Sequence, residues 1–186
     1  MKQKTSIIRL LSTKTQKPKR KLTVQSSKKN SGFTLNLRKP TIADIKTIQS
    51  LISPFAESNE MLPRSLNDLI ECLRDFVVIE DRGKIIGCGA LHLTWLDIAE
   101  IRTLAIHRDY QKHGIGRLIV NKLIDEAKAL GISNIFALTY KPGFFKRLGF
   151  EIVSKDNLPK KVWTDCIKCA KFPDCDEIAV QLKLKK

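Results

Sequence analysis

Ile106-His107-Arg108-Asp109-Tyr110-Gln111-Lys112-His113-Gly114-Ile115-Gly116-Arg117-Leu118 runs from an apolar, strand-like stretch through a glycine-bearing loop straight into a helical pattern. Two glycines spaced by one residue let backbone N–H groups turn toward an anion with no side chain in the way. The helix that opens at Gly116 adds the positive end of its dipole, so a pyrophosphate is the natural guest. No Gly-Lys-Ser/Thr follows, which excludes a Walker loop, and the third glycine of a dinucleotide fingerprint is missing.

Outward from this loop, the spacing of apolar residues gives the flanking elements. Leu35-Asn36-Leu37-Arg38-Lys39 alternates and stops at Pro40, as a strand does. Thr41 caps a helix carrying Ile42, Ile45, Ile48, Leu51 and Ile52 and ending near Pro54. Ser65 caps a short second helix with Leu66, Leu69, Ile70 and Leu73 inward. Strands over 76–80 and 85–92 flank the turn Asp81-Arg82-Gly83-Lys84, and a further strand covers 99–106. The helix over 116–130 buries Leu118, Ile119, Leu123, Ile124, Ala127 and Leu130 and closes at Gly131. A strand over 135–140, a short helix over 143–148 and a last strand over 179–184 complete the order β-α-α-β-β-β-α-β-α-β. This predicts one α/β domain, a mixed central sheet flanked by helices.

The chain has 186 residues and a formal net charge of +15. Its length favours one domain, or one domain with a tail. Residues 1–43 hold twelve of the 34 Lys and Arg and none of the 19 Asp and Glu, so the remainder carries 22 basic against 19 acidic groups. The basicity therefore belongs to the start of the chain, not to the folded part. Residues 1–32 read as a basic, disordered tail, and residues 33–186 as the folded domain. The tail is acid-poor and Ser/Thr-rich like an organellar transit peptide, but Lys outnumbers Arg and no secretory apolar core is present. It has no Trp or Tyr to stack on bases, which disfavours nucleic acid as a partner. Apolar runs such as Phe76-Val77-Val78-Ile79 are strand-sized, which predicts no transmembrane helix and no membrane partner. Five cysteines without a secretory signal point to a reducing compartment, hence the cytoplasm, with organellar targeting left open.

Gln111-x-x-Gly114-x-Gly116 after a strand resembles the acetyl-CoA loop of the GNAT acyltransferases. Phe144-Phe145-Lys146-Arg147-Leu148-Gly149-Phe150 is similar to that superfamily's last motif. The resemblance implies acetyl-CoA as cosubstrate and requires no metal. It implies that Gln111, Lys112, His113, Gly114, Ile115, Gly116 and Arg117 hold the pyrophosphate. Leu104, Ala105 and Ile106 would pair with the pantetheine. Within the superfamily the chain most resembles the acetyltransferase domain of N-acetylglutamate synthases. The likeness rests on Leu62-Pro63-Arg64-Ser65, on Ala99-Glu100-Ile101-Arg102-Thr103-Leu104-Ala105 and on Phe136-Ala137-Leu138-Thr139. It extends to Leu158-Pro159-Lys160-Lys161-Val162-Trp163-x-Asp165-Cys166-x-x-Cys169, as in short bacterial forms. The chain leaves no room for the amino-acid-kinase domain of the long synthases, so arginine control through such a domain is not implied.

The implied reaction, in arginine biosynthesis, is acetylation of L-glutamate by direct amine attack on the thioester in a ternary complex. Other amines, or a non-catalytic role on nucleic acid through the basic tail, are the alternatives. The attacking amine needs a base, and Glu100 lies where related acetyltransferases place one. A dicarboxylate needs fixed cations: Arg64 by the motif, Arg102 on the same strand face as Glu100, and then Lys160 and Lys161. Phe145 stands where many GNAT enzymes have an acid tyrosine, which leaves the acid unassigned; Tyr140 reads as packing or cofactor contact. Cys166, Cys169 and Cys175 have only partial zinc spacing, and reduced packing thiols are the simpler reading. Cys72 and Cys88 read as core. A homodimer is left open.

Overall fold

The computed structural model describes residues 32–158, 166–167, 169 and 171–184. The tail read over 1–32 lies outside the described residues up to residue 31, and so do Lys160 and Lys161. Strands β1 (Leu35–Arg38), β2 (Phe76–Asp81), β3 (Lys84–Leu93), β4 (Ile98–Ile106), β5 (Asn134–Thr139), β6 (Glu151–Ile152) and β7 (Ile178–Lys183) alternate with helices α1 (Ile45–Glu57), α2 (Leu66–Glu71), α3 (Ile115–Ala129) and α4 (Pro142–Lys146). They form one sheet in the order β1-β2-β3-β4-β5-β7-β6, antiparallel except where β4 runs parallel to β5. The expected mixed sheet flanked by helices is present.

The two faces of the sheet bury separate layers. On one, Ile119, Val120 and Leu123 of α3 are fully buried against Val77, Ile79, Ile101 and Ile135. Each such side chain contributes roughly 1.5–3 kcal/mol by leaving water. The helix sits unusually near β3 because Gly89 faces it; a Cβ there would meet Ile119 Cγ2 at 2.8 Å. On the other face, Ile48, Ile52 and Phe55 of α1 and Leu69 of α2 cover Phe76, Val78 and Cys88. The buried thiol of Cys88 fits its reading as core.

Three local expectations need correction, and one short strand is added. Pro54 does not end α1, which runs on to Glu57. Pro54 lies on the exposed side, and burial of Ile52 and Phe55 outweighs the one hydrogen bond it cannot donate. Leu66 and Ile70 of α2 are exposed, because a six-residue helix presents only Leu69 to the core. Leu130 is the exposed C-cap residue of α3 rather than part of its buried face. Strand β6, two residues long, is too short to leave a periodic signal; it pairs with Gln181 and Val180 of β7.

The edge strand β1 is fastened by charge. Arg38 donates to both Asp44 oxygens, at 2.7 and 2.9 Å, and to Glu80 Oε1. This guanidinium holds the Asp44 and Glu80 carboxyls below the ordinary carboxylate range. Carboxylates so shifted stabilise the fold above their unfolded pKa near 4, and that contribution is lost as pH falls through the folded values. Arg38→Gln is expected to cost roughly 1–2 kcal/mol at pH 7. Urea midpoints should show the gap to the unsubstituted protein closing below about pH 4; a gap that widens there would contradict the assignment.

Candidate active site

Strand β4 sets the geometry. It pairs with β5 at Ile98, Ala99 and Glu100, opposite Asn134, Ile135 and Phe136, and no further. Beyond Glu100 the two strands part. In the same stretch β4 carries an extra residue relative to β3: Cys88 faces Ala105 and Ala90 faces Arg102, so Gly89 alone spans Thr103 and Leu104. Thr103 takes a left-handed φ of 55° to make this bulge. The bulge inverts the strand's alternation. Ala99 and Ile101 face α3 before it, and Leu104 and Ile106 do so after it. Glu100 and Arg102 face the opposite side. The edge of β4 that β5 abandons is left as backbone able to pair with an extended ligand.

A cavity of about 1350 Å³ runs through this opening and reaches both faces of the sheet. At one end lies the glycine loop. Lys112 and Gly114 both have left-handed backbone, φ 62° and 81°. Gly114 is the N-cap of α3, and the first bond it accepts comes from Leu118 N at 3.2 Å. The amides of Ile115, Gly116 and Arg117 thus have no partner within the helix, and these residues line the cavity. The helix begins one residue earlier than the pattern suggests, with Gly114 taking the cap. Anion-accepting amides at a helix start, beside an open strand edge, fit a phosphorylated ligand with an extended amide-bearing arm. Leu104, Ala105 and Ile106 line the same cavity. Gln111 also lines it, but its side chain donates to Ile106 O at 3.1 Å and so pins the loop to the strand end. His113 does not line the cavity; it packs edge-on against Phe33, 5.3 Å between ring centres.

At the other end stand the acid and the arginines. Glu100 and Arg102 side chains are each 17% exposed, with Arg102 Nη1 4.0 Å from Glu100 Oε2. Arg64, from the chain entering α2, lines the same wall. Cys72, read as a core residue, ends α2 half-buried against the layer under α1, and its thiol also meets Arg64 and Arg102 in that wall. His92 also faces the cavity, with Nδ1 2.9 Å from Asp75 Oδ2. Glu60 lines the cavity too, bonded to Lys141 at 2.5 Å.

Glu177 lines the cavity as well, and burial holds its carboxyl above the ordinary range. Sequence reasoning missed it, because the residue before a strand carries no periodic signal. Tyr140 donates to Asp176 Oδ1 at 2.6 Å and accepts from Lys171 Nζ, so its hydroxyl is engaged. Burial and the Asp176 carboxylate push the phenol's pKa up. Phe145 is buried between Phe144 and Phe150 and is a packing residue. Cys166, Cys169 and Cys175 form no disulfide among the described residues and line the cavity wall. Among the described residues no group of three or more His, Cys, Asp or Glu is arranged to hold a metal. Among them, too, no helix is long and apolar enough to cross a membrane.

Comparison with known proteins agrees with this geometry. Residues 42–150 match the acetyltransferase (GNAT) family. An uncharacterized N-acetyltransferase of Chlorobaculum tepidum is 39% identical over 77% of this chain and 93% of its own length. An amino-acid acetyltransferase of Mycobacterium tuberculosis is 38% identical over 61% of this chain and 67% of its own. Among solved structures, the N-acetylglutamate synthase of Neisseria gonorrhoeae, complexed with coenzyme A and N-acetyl-glutamate, superposes with a TM-score of 0.75 at 29% identity. The match covers 82% of this chain but only 35% of that one. With the strand opening, the amide-lined helix start and these likenesses together, the chain belongs to the GNAT family of acetyltransferases.

Proposed function

We propose that this chain is a cytoplasmic acetyl-CoA:L-glutamate N-acetyltransferase serving arginine biosynthesis. The observation that carries the reading is one wall of one cavity. There a carboxylate, Glu100, and two guanidiniums, Arg64 and Arg102, face the space that opens on the amide-lined start of α3. Similarity to the amino-acid acetyltransferase of M. tuberculosis and to the gonococcal synthase supports the substrate class.

Each part has a physical task. Lys112, Gly114, Ile115, Gly116 and Arg117 offer amides and positive charge to the phosphates of coenzyme A. The free edge of β4 at Leu104 to Ile106 offers backbone partners to its pantetheine arm. Acetyl-CoA, when bound, supplies an acyl group activated as a thioester with an alkyl-thiol leaving group. Arg64 and Arg102 bind and orient the acidic amino acid by bidentate contacts. Glu100 takes the proton from its ammonium group, so that the amine attacks in its free form. Phe145 packs at the position of the acid tyrosine of many relatives, so no side chain is assigned as acid.

An acetyl-transfer assay over the twenty amino acids tests the assignment. L-Glutamate is expected to give the highest kcat/KM; a basic or apolar amino acid that exceeds it would overturn the reading. Arg64→Ala should raise the KM for L-glutamate about 10–100-fold and leave that for acetyl-CoA within about twofold; equal rises in both would remove Arg64 from the acceptor site. Glu100→Gln should lower kcat about 100-fold at pH 7 and less at pH 9, where more amine is already free. An unchanged pH–rate profile in that variant would assign the proton to another group or to water.

A further inference from the structure

We propose that Cys72 is a positioning residue that gathers Arg64 and Arg102 into a single receptor for the anionic acceptor. The inference rests on the acceptor reading above. Cys72 Sγ accepts from Arg64 Nη2 at 3.7 Å and from Arg102 Nη2 at 3.3 Å. All three residues line the cavity. They come from three places: Arg64 from the segment before α2, Cys72 from its C-terminal end, and Arg102 from β4. The thiol is therefore where helix and sheet are joined on this wall.

Two guanidiniums beside one atom repel each other, and something must hold them there. A guanidinium has five N–H donors, and sulfur is a weak acceptor. Contact with the thiol thus uses one donor, Nη2, of each arginine. Arg64 Nε is buried without a hydrogen-bond partner among the described residues, as expected of a group arranged for an incoming acceptor. Acidic groups also lie nearby, each with a partner of its own. Asp68 caps the helix on Ser65 N at 3.2 Å, and its carboxyl is held low by that cap first and then by the charges of Arg64 and Arg102. Glu71 accepts from Asn67. Glu100 lies 4.0 Å from Arg102 Nη1, and Asp75 is joined to His92. A carboxylate at position 72 would pair with both arginines and occupy the receptor with the protein's own charge.

Steady-state kinetics of the full chain with Cys72→Val, Cys72→Ser and Cys72→Asp separate these effects. Cys72→Val, which has similar bulk and no acceptor, should raise the acceptor KM about 5–20-fold, with kcat and the acetyl-CoA KM within about twofold. Cys72→Ser restores an acceptor and should bring that KM back to within about threefold of the unsubstituted chain. Cys72→Asp should raise it most, by about 50-fold or more. An unchanged acceptor KM in Cys72→Val, or equal rises in both KM values for Val and Ser, would overturn the proposal. Each KM is measured with the amino acid that the unsubstituted chain acetylates fastest. If that amino acid is not acidic, the glutamate reading fails, while the Val-against-Ser order still decides the role of the thiol. If it is acidic and the order is absent, the positioning role alone fails.

Discussion

The parting of β4 from β5 after Glu100 is the constraint on which the rest of the molecule depends. Three residues of parallel pairing fix where the strands meet. The extra residue at Thr103 then bends β4 away while its other edge stays bonded to β3. One strand thereby delivers a carboxylate and a guanidinium to one face and leaves unpaired backbone at its own edge. It ends at the loop that caps α3. An unbroken sheet would have buried these groups and closed the cavity. The strand edge can stay open without unfolding because α3 holds its apolar face through Ile119, Val120 and Leu123, packed close where Gly89 leaves room.

Charge is distributed by the same logic. The +15 of the whole chain says little about the site, since residues 1–43 hold twelve basic groups and no acidic one, and several cations of the described fold are committed to carboxylates. Arg38 is committed to Asp44 and Glu80, Lys39 to Glu126 and Lys141 to Glu60. Against that background, two arginines that meet at one sulfur, with the Glu100 carboxylate 4.0 Å from Arg102 Nη1, stand out. Placing like charges together costs free energy unless a ligand of opposite sign offsets it, and this is the physical content of the acidic-acceptor reading.

Much of this was legible in the sequence, for identifiable reasons. Strands and helices that bury one full face, such as α3 and the β2–β3 hairpin, leave strong periodicity. The loop glycines report a backbone requirement, and Gly114 meets it with φ 81°. Spacing by two places Glu100 and Arg102 on one strand face, and both line the cavity. What was not legible depends on tertiary contact. Nothing local distinguishes Cys72 from a packing thiol until Arg64 and Arg102 are brought to it from 8 and 30 residues away. The sequence puts His113 in the anion loop, but its ring packs against Phe33. The bulge at Thr103 has no glycine to announce it, and Pro54 reads as a stop although burial carries the helix past it.

The central claim is that this cavity selects an acceptor by its negative charge. The most direct measurement is the ratio of kcat/KM for L-glutamate to that for L-norvaline, which carries a methyl group where glutamate carries its side-chain carboxylate. A receptor built from two guanidiniums predicts a ratio of about 100 or more in favour of glutamate. A ratio near unity would mean that Arg64 and Arg102 do not read the acceptor's side chain, and the account would be wrong at its centre.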